Sequence, residues 1–168
     1  MSPEQAKIDV ISWMVNFVEK PNPLLNNWAP CPYARQARIN GQVSVDIGTN
    51  PTVDLDKIAN TYWPDNKDVA VLVYNPVEWD LKKFRSAWQP VQDKLLAPMG
   101  LFVLEDHPED AETVNGVCMN QGTWAILFVQ RLSKLQEAAS QLATKGYYKD
   151  WPEEYLKDLF HGRQDPRP

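Results

Sequence analysis

Val69-Ala-Val-Leu-Val-Tyr-Asn-Pro-Val-Glu78 is the stretch on which the fold of this chain turns. Its first six residues are continuously apolar, the pattern of a strand covered on both faces. Asn75-Pro-Val-Glu78 then has the residue types of a capping box, and Leu81, Phe84, Trp88, Val91 and Leu95 follow at spacings of three and four. That spacing predicts an amphipathic helix, with Pro90 expected to kink or divide it. Gly100 ends the helix, and Leu101-Phe-Val-Leu104 reads as the next strand. Strand, helix and strand in succession predict a parallel pair joined by a right-handed crossover.

Working outward, Gln42-Val-Ser-Val-Asp-Ile47 alternates, with Val43, Val45 and Ile47 on one face, and reads as a strand. A short helix over 50–62 and a turn at Asp65-Asn-Lys67 connect it to Val69. Upstream, Asn40-Gly41 is either a helix stop or a two-residue hairpin turn. Ser2-Pro-Glu-Gln5 opens a first helix, in which Gln5, Asp9, Ser12, Asn16 and Glu19 mark one narrow polar stripe. A helix with so thin a wet face is expected to be largely buried.

Downstream, His107 to Gly122 is polar and turn-rich and reads as a long loop. Thr123 to Gln130 reads as a fourth strand, which that loop allows to run antiparallel. Leu132, Leu135, Ala139 and Leu142 form the inward face of a helix ended by Gly146, and residues 151–160 form a last short helix. The expected architecture is α/β: a mixed four-stranded sheet, three strands parallel and one antiparallel, flanked by helices. It forms a single domain over residues 1–162 with a polar tail over 163–168.

Composition narrows the function. The 168 residues are 43% hydrophobic and 11% aromatic with net charge −5, a globular chain without a nucleic-acid footprint. The cluster Lys82-Lys83-Phe84-Arg85 reads as a solvated helix face. No apolar run reaches the roughly 18 residues of a membrane span, and the amino terminus does not have the pattern of a signal peptide. Two distant cysteines make no disulfide framework, so the cytoplasm is the expected compartment. Seven tryptophans, at 13, 28, 63, 79, 88, 124 and 151, are divided between core and a surface or pocket.

Trp28-Ala-Pro-Cys-Pro-Tyr-Ala-Arg35 holds the most reactive residue type in the chain. Pro32 suits a first helical position, which would make Cys31 the cap and favour its thiolate. The ordinary alternative is a small packed residue in a turn. In an α/β sheet ligands bind beyond the carboxyl ends of the strands. Those ends carry Gly48, Asn75 and Glu105-Asp106-His107, and the chain reversal at Asn40-Gly41 is expected to bring Cys31 there.

The first reading is a thiol-dependent enzyme in which His107 activates Cys31, Asp106 or Asn75 orients the ring, and Tyr33, Arg35, Asn75 and Cys118 contact substrate. Against it stands a histidine that merely satisfies backbone groups. The second reading is a non-catalytic binding or regulatory protein, engaging a macromolecular partner through exposed tryptophans and the acidic loop 105–112. A metal held by His107, Cys118 and Glu105 or Asp110 would need paired-ligand spacing, which is absent, so no metal and no cofactor is expected. Walker, Gly-x-Gly-x-x-Gly, Gly-x-Ser-x-Gly and zincin motifs are absent too. The expected partner is a small molecule or a protein, with no nucleic acid and no membrane.

Two resemblances bear on these residues. Cys31-Pro-Tyr-Ala34, Asn40-Gly-Gln-Val43, Val71-Leu-Val-Tyr-Asn-Pro76 and Asp106-His-Pro108 resemble signatures of a bacterial domain family of unknown function. That family carries Leu-Cys-Pro-Phe-Ala, then Lys-Gly-Gln-Val and later Phe-His-Pro, and the spacing from Cys31 to Gln42 is similar. The likeness covers roughly residues 8 to 139. It departs after His107-Pro108, where Glu109-Asp110-Ala111 replace aromatics and an Arg-x-Pro-Tyr-Pro segment is missing before Trp124. Cys31-Pro-Tyr-Ala-Arg-Gln36 also resembles the helix start of glutaredoxins and of omega- or lambda-type glutathione transferases. Those folds run a strand directly into the cysteine, whereas a helix and Pro21 to Asn27 precede it here, so the match is local.

Overall fold

The computed structural model describes residues 2–60 and 67–168. Trp63, the end of the helix expected over 50–62 and most of the turn at 65–67 lie outside them. Helix α1 (Pro3–Trp13) starts as its sequence predicts, with Ser2 Oγ accepting from the Gln5 N–H at 3.2 Å. It runs on through a wider turn, Met14–Val18. Helix α2 (Ala34–Ile39) ends at Gly41, whose φ of 68° lets its N–H reach the Arg38 carbonyl while Gln42 N–H reaches that of Ala37. This is a helix stop, not a hairpin.

Strand β1 (Val43–Ile47) follows, then α3 (Pro51–Asn60) and β2 (Val69–Tyr74). Helix α4 (Leu81–Val91) begins later than Asn75-Pro-Val-Glu78 suggests, because Asp80 caps it through the Lys83 N–H at 2.9 Å. Asn75 instead folds residues 76–79 into a turn. Just past Pro90 the α-helix gives way to the wider turn Gln92–Leu96, as a residue without an N–H would dictate. Strands β3 (Leu101–Asp106), β4 (Thr113–Val114), β5 (Val117–Cys118) and β6 (Ala125–Arg131) precede helices α5 (Leu132–Thr144) and α6 (Glu153–Leu159).

The main sheet has the order β1-β2-β6-β3. Among the described residues only β1 and β2 pair in parallel; β6 lies between β2 and β3 and is antiparallel to both. The expectation of three parallel strands is therefore corrected to one parallel pair. Strand β3 keeps the sense of β2 but bonds only to β6. The reason is the loop after β3, which lets β6 enter the gap that the α4 crossover leaves open. The carboxyl ends of β1, β2 and β3 still share one sheet edge, together with the start of β6.

Helices α3 and α4, with the wider turn after α4, cover one face, packing Leu55, Phe84, Trp88 and Leu96 on Leu72, Tyr74, Val103 and Leu127. Helix α1 covers the other with Ala6, Val10 and Met14 on Val71, Val73 and Ile126. At the edge, Gly48 lies so close to Tyr74 that a Cβ would stand 2.2 Å from the ring.

Two departures matter for function. Helix α1 is not the nearly all-buried element that its stripe of Gln5, Asp9, Ser12, Asn16 and Glu19 predicts. Glu19 is buried, held by Arg38 through two bonds of 2.6 and 3.0 Å, while Ile8 and Ile11 are 58% and 41% exposed. Within the segment read as a long loop, β4 and β5 form a hairpin on Asn115-Gly116, both at positive φ (51° and 81°). Such a two-residue turn matches the right-handed twist of its strands.

Candidate functional site

Cys31 sits three residues before α2, with Tyr33 as the cap, so the expectation that Cys31 itself caps the helix is corrected. Its N–H donates to the Val18 carbonyl at 3.0 Å, which hangs the turn from the end of α1. From the other side, Tyr147 OH donates to the carbonyls of Pro30 and Ala29, and Tyr33 OH donates to Gln141 Oε1 at 2.8 Å. Trp28 meets the Tyr147 ring edge-on at 5.5 Å. The stretch 28–33 is thus clasped by an aromatic cluster of Tyr147, Tyr148, Trp151 and Phe160.

The N–H groups of Tyr33 and Ala34 do lower the Cys31 thiol pKa, as a helix start should. Desolvation outweighs them, with a further push from Glu19, and the thiol ends above its ordinary value. The residue keeps exposed surface, but the protein crowded around the sulfur governs its ionisation.

His107 is 1% exposed at the end of β3. Its Nε2 lies 2.9 Å from the Trp79 carbonyl, and its Nδ1 accepts from the Glu109 N–H at 3.2 Å. A carbonyl only accepts and an N–H only donates, so the ring is the neutral Nε2–H tautomer with both nitrogens occupied. The imidazole packs 5.5 Å from Phe84 of α4. No hydrogen bond or ring contact among the described residues joins His107 to Cys31. One packs toward α4, the other hangs from α1, and these helices cover opposite faces.

The remaining candidates are also engaged locally. Asp106 is buried and accepts from Asn120 Nδ2 and the Gln121 N–H, both at 2.8 Å; desolvation raises its pKa. Asn75 Oδ1 accepts from the Val77 N–H, closing its turn. Arg35 is exposed on α2, and Cys118 is exposed on β5 with Sγ 3.9 Å from Asn120 Oδ1. Tyr33 and Cys31 therefore share a neighbourhood, and Asp106, His107 and Cys118 share another through Asn120.

The acidic loop is mostly spent inside the molecule. Glu105 accepts from Arg85 Nε at 2.8 Å and from Trp88 Nε1 at 2.6 Å, and Arg85 also pairs with Asp110. None of the described tryptophans is exposed: Trp88 and Trp124 are buried, and Trp13, Trp28, Trp79 and Trp151 are half-buried. Among the described residues no group of three or more His, Cys, Asp or Glu is placed to hold a metal ion, and no helix is long and apolar enough to cross a membrane.

A different surface lies along the outer side of β1. Strand β1 is one edge of the sheet. Val69 N–H donates to Gln42 O and Gly48 N–H donates to Val73 O, at 3.1 and 2.9 Å. In a parallel ladder alternate residues face the partner strand, so the even-numbered positions bond to β2 and the N–H and C=O groups of Val43, Val45 and Ile47 point outward. Beside them lies an open groove of about 280 Å³ lined by Ile11, Met14, Arg38, Val43 and Val45. The signal for it was present in the sequence: Ile8 and Ile11 lie outside the polar stripe of α1, and Val43, Val45 and Ile47 share one face of β1.

No family model matches this chain, and neither a curated protein nor a solved structure matches it significantly.

Proposed function

We propose that this protein is a non-catalytic binding protein that takes up an extended polypeptide at the open edge of β1. The observation that carries the reading is the row of outward backbone groups at Val43, Val45 and Ile47 beside an apolar groove. An added strand would pair with those groups and set alternate side chains over the groove walls formed by Ile11 and Met14. This is β-augmentation, in which main-chain hydrogen bonds supply affinity and side-chain pockets supply selectivity. An edge strand is otherwise a liability; β1 carries no proline, and its guard is the exposed Lys7–Asp46 ion pair at 3.6 Å.

The thiol-enzyme reading, with Cys31 and His107 as its pair, receives less support. A base must have a free nitrogen within reach of its nucleophile, and both His107 nitrogens bond to backbone. The reading in which the acidic loop 105–112 meets the partner is weakened by the internal pairing of Glu105 and Asp110. A cytoplasmic setting belongs to the proposal and rests on two unpaired cysteines.

The experiment is selection of a phage-displayed library of linear nonapeptides on the full chain. Enrichment of sequences with apolar residues at alternate positions, lost when Val45→Pro protein is the bait, supports the proposal. No enrichment, or enrichment indifferent to Val45→Pro, contradicts it.

A further inference from the structure

We infer that the strand taken up at β1 carries a lysine or arginine between two apolar residues, and that this cation replaces Lys7 on Asp46. The inference rests on the strand-binding reading above and names the chemistry of its ligand. Asp46 stands beside Leu72 of β2, which packs under α3 and α4, so Asp46 projects to that face of the sheet. Its neighbours Val45 and Ile47 project to the other face, under α1. Lys7 belongs to α1, yet its Nζ lies 3.6 Å from Asp46 Oδ1. Because β2 closes the inner side of β1, the two side chains meet around the outer edge of the strand.

An incoming strand needs that edge for its own backbone, and the two partners of the ion pair yield unequally. Lys7 is a flexible stem on the helix and swings off into water. Asp46 is short and belongs to β1 itself, so its carboxylate stays beside the new strand. The two side chains are 42% and 58% exposed, and a pair this wet holds weakly and exchanges for another cation. On the added strand, the residues over Ile11 and Met14 are apolar, and the residue between two of them falls on the face of Asp46. Opposite charges facing each other across two strands attract, and like charges repel. Lysine or arginine there restores the pair that Lys7 gives up, whereas glutamate sets two carboxylates side by side. The net charge of −5 favours approach of the same cationic strand.

The test measures, by isothermal titration calorimetry on the full chain, three capped peptides Thr-Val-Thr-Val-Xaa-Val-Thr-Val-Thr with Lys, Gln or Glu as Xaa. The sequence reads the same in either strand direction. The expected result is that wild type binds the Lys peptide at least about threefold more tightly than the Glu peptide, with Gln between them. The preference disappears in Asp46→Asn and inverts in Asp46→Lys. It persists in Asp93→Lys, which makes the same change of net charge in the turn packed on β3, at the far edge of the sheet. Equal affinities for the three peptides, each lost in Val45→Pro, overturn the inference and leave strand binding standing. A preference that survives in Asp46→Lys, or that also inverts in Asp93→Lys, overturns it too. Binding by none of the three overturns the inference, and the library selection then decides whether strand binding falls with it.

Discussion

His107 Nε2 lies 2.9 Å from the carbonyl oxygen of Trp79, tying the end of β3 to the turn that precedes α4. With the Glu109 N–H on its other nitrogen, the ring acts as a buried strut. His107→Ala would leave that carbonyl and that N–H without partners and open a void against Phe84. The expected cost is about 2–4 kcal/mol, measured by urea unfolding. The rate of Cys31 alkylation should not change, since among the described residues no hydrogen bond or ring contact links the two. A stable His107→Ala protein with an altered Cys31 rate would contradict the strut and revive the pair.

Cys31 should be a sluggish nucleophile. Its thiol pKa is raised by desolvation and by Glu19, so less thiolate is present at any neutral pH than in the unfolded chain. Iodoacetamide at pH 7.5, read by mass spectrometry, should modify Cys31 more slowly in the native protein than in urea. Native alkylation as fast as or faster than in urea would show an activated thiol instead.

Glu112 should make stability fall as pH rises. Burial first, then Asp110 and Asp106, pushes its folded pKa from the ordinary 4.5 up to about 7, so between these values the folded state holds a proton that the unfolded state has released. The stabilisation is complete below about pH 4.5, declines across the interval and is gone above about 7. Glu112→Gln should flatten that decline and make the protein more stable than wild type at pH 8, measured by urea midpoints at pH 5, 6, 7 and 8. A wild-type midpoint that rises over this range beyond that of Glu112→Gln would refute the assignment.

Much of the fold could be read from local pattern. The apolar run Val69–Tyr74, the alternation at Val43–Ile47 and the helical spacing of Leu81, Phe84 and Trp88 each point to one element, and each forms. The strand order was not legible, because insertion of β6 between β2 and β3 depends on pairing that no local pattern encodes. The hairpin on Asn115-Gly116 carried a turn signal but only two residues of strand on either side, too few for a period to register. At the candidate site the positions at the sheet edge were legible and the partners were not. His107 looked available because sequence cannot show that Trp79 and Glu109 occupy its nitrogens. The polar stripe understates the wet face of α1: Ile8 and Ile11 beside it are exposed as well, whereas Glu19, past the helix, is buried against Arg38.

The most direct measurement is the dissociation constant of a selected alternating peptide for wild type and for Val45→Pro, by isothermal titration calorimetry. The Val45 N–H faces away from β2, so proline there removes an outward donor and leaves the β1–β2 ladder intact. The expected result is an unchanged fold by circular dichroism and affinity weakened at least about tenfold, the worth of one main-chain hydrogen bond together with obstruction of the edge. Equal affinities for the two proteins would contradict it.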